Sequence, residues 1–121
     1  MAYLDQKPFA QGEITFFPVT PDHFDGAAFT PAEANETAYI VAHSESGHHH
    51  VIERSRADVA VVRHDSAGLT ILRAIVADPE GATVRNLGSH GHADLHLPPG
   101  LYEARVNREL GLDDMIRRAA D

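Results

Sequence analysis

The chain has 121 residues, no cysteine and a formal charge of −8 with its histidines neutral. That length suits one domain with a modest core, the lack of cysteine excludes disulfides and thiolate metal sites, and the acidic balance argues against a nucleic-acid partner. No apolar run is long enough to cross a bilayer and no export signal opens the sequence, so no membrane partner and a cytoplasmic location are expected.

Residues 1–10 read as an N-terminal arm, and a period of two dominates the chain from Gln11 onward. Glu13 to Val19 predicts a first strand, closed by Pro18 and Pro21. Residues 20–37 are rich in Pro, Asp, Gly and Ala and read as a long loop with one helical turn at Pro31-Ala32-Glu33-Ala34. Thr37 to His43 predicts a second strand, Ser44 to Gly47 a turn, and His48 to Glu53 a third strand. Ala57 to His64 and Leu69 to Ala77 are β-branched runs joined by Asp65-Ser66-Ala67-Gly68, a hairpin signal. Asp78-Pro79-Glu80-Gly81 is a further turn before a strand at Ala82 to Leu87.

Leu97-Pro98-Pro99-Gly100 then leads into Leu101 to Asn107, where Tyr102, Ala104 and Val106 alternate with Leu101, Glu103 and Arg105. Tyr102 reads as core with its hydroxyl satisfied at the edge, and Glu103 points to the opposite face. The tail changes period: Leu112, Met115, Ile116 and Ala119 share one helical face, which predicts a helix over 112–120. Short strands at regular spacing make this an all-β protein, a small barrel or sandwich with a short C-terminal helix, in a single domain over 1–121.

Seven of the nine histidines fall in two segments, 42–50 and 88–96, and each segment contains a His-x-His step. On a strand, alternate side chains share a face, so His48 and His50 lie together while His49 takes the other side. The same parity joins His90 and His92, with His96 if the strand runs on. Two imidazoles about 7 Å apart along a strand can converge on one ion, held through ring nitrogens. His48, His50, His90 and His92 are therefore the candidate ligands of one divalent ion such as zinc, nickel or iron. The alternative for each is a polar strand face or an imidazole bonded to backbone at a turn. His43, Glu45, Glu53 and Asp94 are further donors or orienting partners, or else solvated surface. His23 and His64 read as ordinary surface residues, and Arg108-Glu109 as a structural ion pair.

Hydrolase, phosphate-loop, dinucleotide and His-Glu-x-x-His signatures are missing, so no catalytic residue and no organic cofactor is assigned. Protonating all nine histidines would more than cancel the negative charge, so the surface can respond to mild acid.

Several short motifs recur in one order: Gln11-Gly12-Glu13, Glu45-Ser46-Gly47-His48-His49-His50, Ser89-His90-Gly91-His92-Ala93, Leu97-Pro98-Pro99-Gly100-Leu101-Tyr102 and Arg108-Glu109-Leu110. In that order and spacing the chain resembles a group of small uncharacterised bacterial and phage-associated proteins. Glu13, Ser89 and Leu110 depart from that group's pattern, which has Asp, His and Tyr there. The resemblance implies that His48, His50 and His92 belong to the shared pattern and His49, His64 and His96 do not; it implies no activity. The chain is also partly similar to cupins, small β-barrels that hold a metal through a His-x-His strand and a later strand histidine. Glu53 follows His50 too closely for the cupin glutamate, and Glu103 stands where the later histidine belongs.

Two readings remain open. One is a small β-protein that binds a divalent metal through its two His-x-His segments. The other is a non-enzymatic interaction module of phage or mobile-element origin, with structural histidines and a protein or homo-oligomeric partner.

Overall fold

The computed structural model describes residues 3–43, 49–64, 68–87 and 93–107. Two antiparallel sheets pack into a sandwich. The first holds β1 (Phe9–Gln11), β2 (Ile14–Pro18), β3 (Thr30–Pro31), β6 (Ala57–His64), β7 (Leu69–Val76) and β10 (Gly100–Asn107), in the order β1-β2-β10-β7-β6-β3. The second holds β4 (Ala38–Ala42), β5 (His49–Glu53), β8 (Ala82–Leu87) and β9 (Leu95–Leu97), in the order β4-β5-β8-β9.

Alternation builds the interior. Ile14 and Phe16 of β2 and Tyr102 and Ala104 of β10 face inward from the first sheet, meeting Val41, Ile52, Val84 and Leu97 from the second. Each fully buried aliphatic side chain contributes about 1.5–3 kcal/mol through the apolar surface it removes from water. Tyr102 is buried and its hydroxyl donates to the Pro98 carbonyl at 2.6 Å, as the alternation implies.

Long runs with clear alternation emerge as strands close to their predicted bounds, whereas short elements differ. The arm's last residues form β1, because the Gly12-Glu13 turn lets Gln11 pair with Ile14. Gly12 takes φ +58°, the conformation a two-residue hairpin wants at its first turn position. The long loop carries a 3-10 turn at Pro21–Phe24, seeded by Pro21, while Thr30–Pro31 is strand. The helical turn expected at 31–34 is thus corrected: Thr30 and Pro31 pair with Val61 and Ala60 instead. The helix expected over 112–120 lies outside the described residues. No helix among the described residues is long and apolar enough to cross a membrane.

The second sheet brings together what flanks the two histidine-rich segments. β4 runs towards one end of the sheet and β5 returns from it, with Ala42 opposite His50. β8 runs to the same end, placing Leu87 opposite His49 and Asn86 opposite His50. β9 then pairs back along β8, with Leu95 opposite Val84.

Candidate functional site

His50 and Ile52 lie on the inner face of β5, and both are fully buried. His49 points the other way. Its Nδ1 lies 2.9 Å from Nδ1 of His43, whose Nε2 lies 2.5 Å from Glu33 Oε2, in a surface cluster. Strand parity therefore separates His49 from His50 as the sequence implies. His96 is exposed, because Leu95 and Leu97 take the inner face of β9. The strand that holds His96 begins only at Leu95, and its parity carries that ring away from the core.

Gln11, at the end of β1, is almost completely buried and joins three elements. Its Nε2 donates to the Val84 carbonyl at 3.0 Å and to the Ala93 carbonyl at 2.7 Å. An amide nitrogen has two protons, and both are then committed, so Oε1 must be the atom 2.8 Å from His50 Nδ1. A carbonyl oxygen only accepts; hence Nδ1 of His50 carries a proton and donates it. In the neutral imidazole this tautomer leaves the lone pair on Nε2.

That Nε2 lies 3.1 Å from Glu13 Oε2. The Glu13 side chain is only 9% exposed, and its Oε1 is buried without a hydrogen-bond partner among the described residues. Asn86, opposite His50 on β8, has its Oδ1 buried and unpartnered in the same sense. The interior beside His50 thus holds two buried oxygen acceptors, one of them on a carboxylate. A buried acceptor left without a donor costs about 1–3 kcal/mol, more for a charged group, so such a corner favours a proton or a cation between its atoms.

Of the four predicted ligands the structure describes His50; His48, His90 and His92 lie outside the described residues. Among the described residues, no group of three or more His, Asp or Glu side chains forms a metal-binding cluster. Gln11 and Glu13 are the additions that the tertiary structure makes. The sequence carried a signal for them in the Gln11-Gly12-Glu13 motif, but only strand pairing shows that this turn reaches His50.

A second polar cluster lies on the outer face of the first sheet. Glu103 is 5% exposed, covered by the N-terminal arm and the 3-10 turn. Its carboxylate accepts from the Tyr3 hydroxyl at 2.9 Å and from Arg105 Nε at 2.6 Å, and lies 2.7 Å from His23 Nε2. Burial alone would raise the Glu103 pKa; hydrogen bonds to His23, Arg105 and Tyr3 more than offset it, leaving the carboxyl below its usual range. His23, read as surface from its loop context, is thus a nearly buried partner of Glu103. Beside this cluster runs an apolar groove of about 240 Å³ lined by Tyr3, Leu4, Gln6, Phe17, Pro18 and Arg105. Arg105 stacks over Phe17 there at 5.0 Å, and its charge is already met by Glu103. The cluster reads as a clasp holding the arm to the sheet.

Residues 10–107 match the model of one protein family, described as a domain of unknown function, DUF8820. No curated protein and no solved structure matches the chain.

Proposed function

The chain belongs to the DUF8820 family, and from that premise we propose that it is a cytoplasmic protein binding one divalent transition-metal ion through its two histidine-rich segments. His48, His50, His90 and His92 are the proposed ligands, and zinc, nickel and iron are the ions that suit imidazole donors. One observation carries the reading: the Gln11 amide bonds His50 with its oxygen and Ala93, the residue after His92, with its nitrogen. A single buried side chain thereby ties the end of one histidine segment to a residue within the other. The pairing of Leu87 with His49 supports it, since β8 ends beside the start of β5 one residue before the second segment begins in sequence. The Nδ1-protonated tautomer of His50 also suits metal binding, because a ligating imidazole offers one nitrogen and donates from the other.

The test is metal content of the chain purified without a histidine tag, with thermal unfolding before and after chelation. About one ion per chain is expected, lost together with part of the stability on chelation and in His50→Ala. His92→Ala, which leaves the buried His50–Gln11 pair intact, is expected to lose the ion too. A protein that stays metal-free and is indifferent to chelator and to added zinc or nickel would sink this reading. It would leave the non-enzymatic interaction module in its place.

A further inference from the structure

We infer that Glu13 is an oxygen ligand of the same ion, and that Gln11 is the residue positioning His50 to share it; this rests on the metal-binding reading above. The hairpin turn after β1 carries Glu13 to within 3.1 Å of Nε2 of His50, with the carboxylate nearly buried. No donor among the described residues meets its Oε1. Gln11 commits Nδ1 of His50 to donation, so in the neutral ring a lone pair faces a carboxylate oxygen. Two negative ends at that distance repel unless a positive centre lies between them.

A divalent ion fits the spacing. With ligand distances of about 2.05–2.1 Å, a nitrogen and an oxygen 3.1 Å apart subtend about 97° at the ion, within the range for neighbouring ligands in tetrahedral to octahedral shells. The carboxylate supplies one negative charge and harder character than imidazole, making the donor set mixed nitrogen and oxygen. Such a set suits zinc, nickel or iron and disfavours copper(I), which seeks sulfur. The competing account of the same contact is a proton: a doubly protonated His50 paired with ionised Glu13. The two accounts differ in whether Nε2 carries hydrogen when zinc is present.

Two measurements decide between them. Calorimetric titration with Zn²⁺ compares the chelator-treated wild type with Glu13→Gln, which keeps the shape and removes the charge. The affinity is expected to fall by at least about tenfold, while the metal-free variant unfolds at the same or a higher temperature because a buried carboxylate facing the His50 lone pair is gone. On wild type alone, ¹⁵N NMR of the His50 ring should show Nδ1 protonated throughout and Nε2 moving as Zn²⁺ is added. Equal zinc affinity in the two proteins, or an Nε2 that stays protonated in the zinc-loaded wild type, would overturn the role of Glu13. Wild type that takes up no Zn²⁺, Ni²⁺ or Co²⁺ would instead overturn the parent reading. Where Glu13→Gln fails to fold, the NMR arm still overturns the proposal if Nε2 of His50 stays protonated in the zinc-loaded protein.

Discussion

Glu103→Gln removes one negative charge from a carboxylate that is 5% exposed and held by three side chains. The amide keeps one acceptor oxygen, which can serve Arg105 and Tyr3. Its nitrogen can donate to His23 if that ring changes tautomer, so the network survives without charge assistance. Bonds to charged groups are worth about 1.5–3 kcal/mol against about 1 for neutral ones, a loss near 1 kcal/mol for each of the His23 and Tyr3 contacts. Arg105 is two-fifths exposed, so its ion pair adds only about 0.2–1 kcal/mol after solvent screening. The expected loss is about 2–3 kcal/mol at neutral pH. Urea unfolding at a series of pH values measures it. Because the folded carboxyl lies below its ordinary value, the stabilisation is complete above the unfolded pKa of about 4.3 and disappears as pH falls through the lower folded value. Wild type and variant should therefore differ most at neutral pH and converge in acid. A difference under about 0.5 kcal/mol at pH 7, or one that does not shrink in acid, would refute this account of the clasp.

Other substitutions probe backbone and parity. Gly81→Ala should cost at least about 2 kcal/mol in the same unfolding assay, since Gly81 has φ +82° and a new Cβ would lie 2.3 Å from the Leu97 carbonyl oxygen. A near-neutral result there would mean that the turn shifts freely against β9. His49→Ala should change stability by no more than about 0.5 kcal/mol and leave metal affinity unaltered, because His49 faces the surface cluster with His43 and Glu33. Loss of zinc binding in that variant would place a ligand on the wrong face of β5.

Strands with a clear two-residue period were legible because alternation depends only on which neighbours are apolar. Residues 57–64 and 82–87 illustrate this: the predicted and observed strands coincide. The short pieces were not legible. β9 spans three residues, and its identity comes from pairing with β8 rather than from its own pattern. β1 likewise exists because Gly12 turns the chain back onto β2. Tyr102 shows the opposite case, a residue whose burial and edge hydroxyl both follow from its place in an alternating strand next to Pro-Pro-Gly.

The candidate site divides along the same line. Parity along one strand is local geometry, so the opposition of His49 and His50 could be read from three consecutive letters. That Gln11 and Glu13 stand against His50 could not. Residues 11 and 50 meet because β1 lies at the edge of one sheet where it faces β8 and β9 of the other, and that order is set by the packing of all the strands together. Glu103 makes the same point in reverse. Its outward direction was local and legible, whereas its burial needed Tyr3 and His23, which lie 100 and 80 residues away in sequence, to fold over it. Side-chain direction is decided within a few bonds; which distant groups share a buried corner is decided only when the whole chain has packed.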